Sequence, residues 1–319
     1  MLAAVVHALG AEPVVEEFPD PGSANDVAEV VAAALNPVDI IIAAGQMPFR
    51  RLDPPFVAGI EGVARLGDGS HRYFSAPRAP YGSLAELVSL AGAETAPVPT
   101  GLDPIVAATL GVSGLAAWLS LTATGGLKAG ENVLILGAEG QVGSIAVQLA
   151  RLQGAARVVG VVRDAATRQA SLDKGADEVV SFTDAGNDLA QQLRQAAPDG
   201  VDLILDLVWG PTVAPAIQVA RQGARVVQIG NSGGTAATLS APALRNSLVR
   251  LLPHSNFAFT ADERSTAFEQ LAAHAASGAL SVDVERVPLA DATAAWRRLV
   301  AGNAPRKLVV TPPAAGGRF

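Results

Sequence analysis

The strongest constraint on the fold of this chain is a regular alternation of strand-like and helix-like segments that starts near Glu131. NVLILG has the continuous apolar run of a buried strand, QVGSIAVQLARLQG has the spacing of an amphipathic helix, and ARVVGVV is strand-like again. The alternation continues to the strand ARVVQIG. Strands separated by helices of roughly 10–15 residues indicate a parallel sheet. The middle of the chain therefore predicts a doubly wound α/β sheet.

The flanking segments differ from this middle part. Before Gly101, short apolar runs are separated by turns rich in Pro and Gly, and the first two, AAVVHAL and PVVEEF, predict a hairpin. After Asn231 come an apolar stretch, a helix that ends at Gly278 and a final strand, RKLVVTP. A length of 319 residues also favours two domains, at ~150 residues each.

The uncharged stretch from Pro104 to Leu127 is long enough to raise the question of a membrane span. Asp103 and Pro104 suit the first positions of a helix, and polar or small residues interrupt the stretch throughout. A helix buried in a soluble core is the better interpretation. We expect no membrane partner and a cytoplasmic location, because the N-terminal segment also lacks the basic start of a signal peptide.

Composition excludes several kinds of chemistry. The chain contains no cysteine, so disulfides, thiolate nucleophiles, iron–sulfur clusters and cysteine-bound zinc are ruled out. Its four histidines show no ligand spacing. The formal net charge is -7 and no basic run occurs, so we expect no nucleic-acid partner.

Three glycines stand between the strand NVLILG and the helix that follows it. Glycine lets the backbone turn sharply and approach a pyrophosphate closely, and the start of the helix offers unpaired N–H groups. Because this pattern opens a strand–helix–strand unit, it predicts a dinucleotide site. A tight turn without a ligand is the alternative. The predicted phosphate-binding residues are Gly137, Gly140, Gln141, Val142 and Gly143.

The end of the next strand indicates which dinucleotide is bound. An NAD site usually has a carboxylate there, which accepts the ribose 2′-hydroxyl. This chain has Val162 followed by Arg163, with Arg168 about one helical turn further on. Because a guanidinium suits a 2′-phosphate, we expect NADPH (NADP) rather than NADH. Asp164 could still face the ribose, and Arg163 could instead be a solvated loop charge.

Seven segments in this order together resemble a known family. They are ALNPVDIIIAAGQMPF, PPFVAGIEGVA, YGSLAELVSL, PTGLDPIVAATLGVSGLAAWLSL, LKAGENVLILGAEGQVGSIAVQLA, KGADEVV and APRKLVV, and they span nearly the whole chain. On these motifs the chain resembles the zinc-independent members of the medium-chain dehydrogenase/reductase superfamily, in the quinone oxidoreductase branch. The resemblance implies a Rossmann doubly wound parallel sheet, residues 113–255, inserted into a chaperonin-10-like, partly open β-barrel domain, residues 1–112 plus 256–319.

The resemblance also assigns roles to individual residues. Asn36, in the NPVD segment, matches a position that lines the nicotinamide and the substrate, and it is our candidate catalytic residue. Ordinary turn chemistry is the alternative for Asn36, and a solvated surface position is the alternative for Asn303 and Lys307. The further cofactor-binding positions are Val208, Gly230, Asn231, Ser232, Ser255, Asn256, Phe257, Asn303 and Lys307.

Two departures from the family pattern bear on chemistry. Zinc-dependent relatives have a His–Glu pair where this chain reads GIEG, so Glu61 is present but Ile60 stands in the histidine position. We therefore expect no metal. Quinone oxidoreductases also tend to have tyrosines where this chain has Ile41 and Met47, which predicts a more open or more apolar substrate cleft.

The expected function is NADPH-dependent hydride transfer, without zinc, to a small-molecule quinone or another α,β-unsaturated carbonyl. Three alternatives differ in class. The chain could be specifically an enoyl or alkenal reductase, or a non-catalytic NADPH-binding protein. A methyltransferase is disfavoured by Arg163 and by the flanking segments.

A homodimer is the expected assembly. The segment GGTAATLSAPAL follows the strand VVQIG and carries little charge, so we expect it near an edge of the sheet. An exposed edge of this kind is prone to aggregation unless another surface covers it, and a two-fold partner could pair its own edge there. Relatives commonly dimerise through this part of the Rossmann domain. A loop packed on its own chain is the alternative.

Overall fold

The computed structural model describes residues 1–22, 26–48 and 50–313. Residues 23–25, 49 and 314–319, which belong to the predicted segments 1–112 and 256–319, lie outside the described residues. The strands are β1 (Leu2–Val6), β2 (Val14–Glu17), β3 (Val27–Ala34), β4 (Phe56–Val57), β5 (Glu61–Arg65), β6 (His71–Ser75), β7 (Leu87–Ser89), β8 (Glu94–Pro97), β9 (Asn132–Leu136), β10 (Arg157–Val162), β11 (Glu178–Ser181), β12 (Val201–Asp206), β13 (Ala220–Gln228), β14 (Arg250–Pro253), β15 (Val284–Pro288) and β16 (Lys307–Thr311). The helices are α1 (Pro37–Ala43), α2 (Pro104–Thr109), α3 (Leu115–Leu119), α4 (Gln141–Leu152), α5 (Arg168–Asp173), α6 (Phe182–Ala185), α7 (Leu189–Ala196), α8 (Val213–Ile217), α9 (Ala241–Ser247), α10 (Ala261–Ala276) and α11 (Ala292–Val300).

The chain divides into two compact units. Unit 1 consists of Met1–Ser113 and Ala261–Phe319, and unit 2 consists of Gly114–Thr260. Unit 2 holds a parallel sheet with helices between its strands, and unit 1 holds mainly antiparallel sheets. The predicted fold class, a doubly wound parallel sheet inserted between two β-rich segments, is confirmed.

Unit 2 is built on a six-stranded sheet in the order β11-β10-β9-β12-β13-β14. Each pair of neighbouring strands is parallel. β9 lies inside the sheet and all five of its residues are buried, which agrees with the unbroken apolar run NVLIL. Such an order brings the carboxyl ends of the strands to one edge, where α/β sheets of this kind bind ligands.

One helix of unit 2 is shorter than the sequence pattern suggests. The segment PTVAPAIQVARQG has helical spacing, but α8 ends at Ile217 and β13 already begins at Ala220. Ala220 pairs with Val201 of β12, and the register shifts before the pair Leu203 and Arg225. Strand pairing therefore replaces helical hydrogen bonds over this stretch.

Unit 1 contains a seven-stranded sheet and a three-stranded sheet. The larger follows the order β15-β16-β3-β5-β6-β8, with β7 paired to β3, and the smaller is β2-β1-β4. β1 and β2 form the predicted hairpin, in which Leu2 lies opposite Glu17. Large apolar side chains such as Phe56, Phe74 and Trp296 fill the core of unit 1.

The helical run Pro104–Thr124 begins as predicted, because Asp103 Oδ1 accepts a hydrogen bond from Ile105 N at 2.9 Å. Within the described residues, this is the run that is long and apolar enough to cross a membrane by length and composition, and 83% of its most apolar window is buried inside the structure. Two short π-helical turns, Leu110–Gly114 and Ser120–Thr124, interrupt it. This burial is typical of the core helix that the sequence predicted.

The segment GGTAATLSAPAL does not form the expected sheet edge. Its last residues belong to α9, whose N-terminus is capped by Ser240, and the residues before it form no strand. Ser240 favours this helix because its Oγ accepts a hydrogen bond from Ala243 N. Among the described strands, β14 is the outermost on this side and pairs with β13 alone.

Candidate functional site

The turn between β9 and α4 is held in place by its own backbone. Gly137 N and Ala138 N both donate to Val161 O at 2.9 Å, which joins the turn to the end of β10. Gly137 has a φ of +84, in the left-handed region that favours glycine. A Cβ at Gly143 would lie 2.1 Å from Gly137 O, so this position admits only glycine. These two glycines serve the close packing of helix against strand.

Gly140 has no such internal requirement. Its φ of -71 is open to any residue, and the nearest atom to an added Cβ is Gly137 O at 3.4 Å, an ordinary contact. α4 starts directly after it, and the first N–H groups of a helix have no intrahelical acceptor. The N–H groups of Val142 and Gly143 have no acceptor among the described residues. These donors and the space at Gly140 fit a pyrophosphate, whose oxygens are acceptors.

Two arginines follow the end of β10. Val162, the last residue of the strand, is buried, whereas Arg163 and Arg168 are exposed. Within the described part of the chain, neither guanidinium makes a hydrogen bond or an ion pair. The Asp164 carboxylate is engaged locally, since its Oδ1 accepts from Ala166 N at 3.0 Å. The arginines are therefore available to an anion.

The loops after β12 and β13 are joined through Asp206. Asp206 Oδ1 accepts from Val208 N at 3.0 Å and from Trp209 N at 2.6 Å, and its carbonyl accepts from Gly230 N at 3.2 Å. Gly233 N donates to Val208 O at 2.7 Å. Burial raises the pKa of Asp206, and its Oδ2 has no hydrogen-bond partner among the described residues. The predicted cofactor residues that these contacts bring together are Val208, Gly230, Asn231 and Ser232.

The segment after β14 carries three further predicted residues. Ser255 Oγ accepts a hydrogen bond from Phe257 N at 3.3 Å, and the Phe257 side chain is 39% exposed. Asn256 Oδ1 lies 3.1 Å from His254 Nε2, and Thr124 Oγ1 lies 2.9 Å from His254 Nδ1. Burial lowers the pKa of His254. A neutral imidazole satisfies both neighbours, by donating to the amide and accepting from the hydroxyl.

Unit 1 contains a cluster of buried polar side chains that we call the polar cluster: Asn36, Asp39, Glu61, Tyr73, Ser113 and Lys307. Asn36 lies at its centre, directly before α1. Its Nδ2 donates to Glu61 Oε1 at 2.8 Å and to Ala34 O at 3.1 Å, and its Oδ1 accepts from Lys307 Nζ. Lys307 Nζ also donates to Ser113 Oγ at 3.1 Å. The Asn36 amide thus links a buried ammonium to a buried carboxylate.

Glu61 is held by donors on both of its oxygens. Besides the Asn36 contact, Oε2 accepts from Tyr73 Oη at 2.9 Å and from Val112 N at 2.6 Å. Val112 belongs to the first π-helical turn. A Cβ on the preceding residue, Gly111, would lie 1.9 Å from Glu61 Oε2, so glycine is required for this approach.

Burial controls the charge states of the polar cluster. Burial raises the pKa of Asp39 to about 7, although hydrogen bonds from Asn36 N and Ile60 N oppose the rise. Burial also raises the pKa of Glu61 and lowers that of Lys307. The Lys307 ammonium opposes the rise in pKa of both carboxyl groups, and the carboxylates oppose the fall in pKa of Lys307, because opposite charges favour each other. Glu61, a like charge, raises the pKa of Asp39 further.

The structure separates the predicted site residues into two sets. Asn36, Asn303 and Lys307 lie in unit 1, and the other fourteen predicted positions lie in unit 2. Asn303 is exposed in the turn after α11, whereas Lys307 is 3% exposed at the start of β16. The expected surface alternative for Lys307 is therefore wrong.

Sequence reasoning missed most of the polar cluster. Asp39 and Glu61 lie in the segments NPVD and GIEG. An acidic residue within an apolar segment was the sequence signal that could have identified them as buried polar residues. Tyr73 and Ser113 carried no local signal. Among the residues that the structure describes, no group of three or more His, Asp or Glu side chains could hold a metal ion.

Comparison with protein families matches residues 142–269 to the family described as zinc-binding dehydrogenase. Three curated relatives are similar in sequence. A phenolphthiocerol/phthiocerol polyketide synthase chain from Mycobacterium tuberculosis is 30% identical over 90% of this chain, which spans 13% of that protein. Prostaglandin reductase-3 from Bos taurus is 32% identical over 68% of this chain and 58% of its own length. Quinone oxidoreductase from Rattus norvegicus is 30% identical over 67% of each protein.

Solved structures match over almost the whole length of both chains. The quinone oxidoreductase from Thermus thermophilus, whose complex with NADPH has also been solved, is 30% identical with a TM-score of 0.80, over 98% of this chain and 100% of that one. A mycobacterial quinone oxidoreductase is 26% identical with a TM-score of 0.84, again over 98% and 100%.

Proposed function

This chain belongs to the medium-chain dehydrogenase/reductase superfamily as a quinone oxidoreductase-like member, and from that premise we propose that it is an NADPH-dependent reductase of electron-poor carbonyl compounds. The acceptor is a quinone or another α,β-unsaturated carbonyl, and the reaction proceeds without zinc. The observation that carries the proposal is the open glycine turn before α4, together with the two arginines after β10 whose guanidinium groups have no partner among the described residues.

Unit 2 binds the cofactor in this proposal. The N–H groups at the start of α4 hold the pyrophosphate over Gly140. Arg163 and Arg168 hold the 2′-phosphate, because a guanidinium pairs well with a phosphate. The remaining predicted positions line the nicotinamide half: Val208, Gly230, Asn231, Ser232, Ser255, Asn256 and Phe257. Asn303 and Lys307 of unit 1 stay predictions from the resemblance, and Lys307 Nζ is buried and already donates to Asn36 and Ser113.

Bound NADPH supplies the hydride. The chain must then stabilise the negative charge that develops on the acceptor oxygen, and we propose the Asn36 amide as a donor for this purpose. Both of its N–H groups are engaged, with Glu61 and with Ala34, so serving the substrate requires it to exchange one of these hydrogen bonds. The final proton comes from water, and the protein mainly orients the reactants.

We propose a reaction without zinc because of the side chains that this sequence offers as ligands. The chain has no cysteine, Ile60 stands beside Glu61, and both oxygens of Glu61 already accept hydrogen bonds. The carboxylate is therefore committed to protein donors. Cytoplasmic location and a homodimer complete the proposal, and solution mass and cell fractionation test them.

A panel of quinones and enones tests the activity, with NADPH consumption followed in the presence of EDTA. We expect turnover that EDTA leaves unchanged, and Asn36→Ala should lower kcat by about 10²-fold with little change in NADPH affinity. Stoichiometric zinc, or loss of activity in EDTA, would contradict zinc independence. NADPH binding without turnover of any acceptor would favour a non-catalytic binding protein.

A second candidate is a reductase restricted to enones. One relative carries the name prostaglandin reductase rather than quinone oxidoreductase, and the same panel separates the two candidates. Turnover of enones with no turnover of quinones would select this candidate.

A further inference from the structure

Glu139 is a carboxylate inside the glycine turn, and only one of its two oxygens is satisfied. Oε1 accepts a hydrogen bond from Arg163 N at 2.9 Å. Oε2 is buried, and it has no hydrogen-bond partner in the part of the chain that the structure describes. Glu139 thus bridges the turn after β9 to the first residue after β10, while leaving one acceptor unused.

An unpaired buried carboxylate oxygen is unfavourable, because it has lost water without gaining a donor. The neighbouring side chains do not supply one. The Arg163 guanidinium makes no hydrogen bond or ion pair with the carboxylate that its own backbone N–H binds, and Asp164 is an acceptor that already caps Ala166 N. Oε2 is buried in this structure, so a donor from outside the chain completes the site only after the Glu139 side chain moves to expose this oxygen.

The position of Glu139 indicates which donor this is. In doubly wound nucleotide-binding sheets, a carboxylate at the end of the second strand accepts a hydrogen bond from the adenosine ribose. Here that strand end is Val162, an apolar residue. Glu139 reaches the same strand end from the preceding turn, as its hydrogen bond from Arg163 N shows.

We propose that Glu139 Oε2 accepts a hydrogen bond from the 2′-hydroxyl of the adenosine ribose of NADH, and that Glu139 is the residue that limits the preference of this chain for NADPH. A 2′-phosphate lacks that hydroxyl and repels the carboxylate, whereas Arg163 and Arg168 attract it. The preference is the balance of these two effects. This inference rests on the proposed function, because it requires a dinucleotide at the glycine turn.

Direct titration of NADH and NADPH into the purified chain, followed by nucleotide fluorescence, tests the proposal without reference to turnover. In Glu139→Gln the amide oxygen can still accept from Arg163 N, so the turn is kept and the charge is removed. We expect the Kd for NADH to rise about tenfold and the Kd for NADPH to stay equal or fall. Glu139→Ala should also weaken NADH binding. The thermal unfolding temperature of this variant shows whether the turn has been lost.

Asp164→Asn is the matched control, since it removes the same charge two residues after the end of β10 without touching the turn. A change in the NADH affinity of Asp164→Asn that equals or exceeds that of Glu139→Gln would overturn the proposal. The proposal would also be overturned if Glu139→Gln bound both nucleotides more weakly to the same extent, or if neither dissociation constant changed. A wild-type chain that binds neither nucleotide would contradict the proposed function itself.

Discussion

Two glycines three residues apart at the start of α4 are present for different physical reasons. Gly143 is required by the protein, because any Cβ there would collide with the backbone of Gly137 and Ala138. Gly140 meets no such obstacle. Its lack of a side chain becomes useful only when something else approaches the turn.

Substituting each of these glycines by alanine separates the two reasons. Gly143→Ala should lower the thermal unfolding temperature strongly, since the backbone must move to admit the methyl group. Gly140→Ala should cost at most about 1 kcal/mol, through a poorer helix cap, yet weaken NADPH binding by about tenfold or more. Calorimetry and nucleotide titration measure the two effects. Unchanged NADPH affinity in a folded Gly140→Ala variant would argue against a phosphate at this turn.

Arg163 carries a second prediction at the residue scale. Its exposed guanidinium has no partner in the described ranges, so removing it leaves the fold unchanged. Arg163→Ala should weaken NADPH binding by about tenfold and leave the affinity for NADH almost unchanged. It should also reduce the salt dependence of NADPH binding. Arg194→Ala, an exposed arginine on α7, is the matched control. Equal dissociation constants of the wild type for NADH and NADPH at low salt would contradict the assignment.

At the scale of elements, a π-helical turn and a helix cap shape the polar cluster. The π-helical turn Leu110–Gly114 brings Val112 N to Glu61, and Gly111 removes the side chain that would block this approach. At the start of α1, Asp39 accepts from Asn36 N and Ile60 N and so joins the helix to the segment before β5. Both contacts hold a buried acidic side chain.

The Asp39 carboxyl group predicts that the stability of unit 1 depends on pH. Its pKa in the folded chain is about 7, above the ordinary value of 3.8, with burial as the largest cause. The folded state therefore holds a proton that the unfolded state has released, and this contribution to stability is lost as pH rises from about 4 through about 7. Glu61 raises this pKa further and Lys307 lowers it.

Urea unfolding between pH 5 and about 8 measures this dependence. Asp39→Asn carries an amide that cannot ionise, so the fall in unfolding free energy across this range should be smaller than in the wild type. Equal slopes for the two proteins would show that Asp39 is ionised throughout.

At the scale of the whole molecule, β14 leaves one side of the parallel sheet unpaired. In the part of the chain that the structure describes, it pairs with β13 alone. Leu251 on this strand is 46% exposed, and Leu248 before it is 57% exposed. An edge with exposed leucines invites a second strand. The proposed homodimer would therefore use β14 rather than the segment GGTAATLSAPAL.

Light scattering at micromolar concentration tests this assembly. We expect a mass near twice 32.3 kDa for the wild type, and a shift toward a single chain in Leu251→Glu, because the charge opposes burial at the edge. Val300→Glu, at a residue 59% exposed at the end of α11, should leave the mass unchanged. A wild-type mass near that of one chain would contradict the proposed dimer.

The sequence by itself determined the features that depend on neighbours along the chain. The alternation of strands and helices, the glycine turn and the Asp103 cap follow from side-chain periodicity and backbone freedom, which act over a few residues. The early end of α8 could not be predicted from such local patterns. Pairing with β12 decided that the residues after Ala220 form a strand rather than a helix. The location of the sheet edge could not be predicted from them for the same reason. The tertiary structure alone decided the polar cluster, where Lys307 meets Asn36 across 271 positions of sequence, and the free Oε2 of Glu139. Whether a buried polar atom has a partner depends on the residues that the fold brings beside it, and no local pattern encodes them.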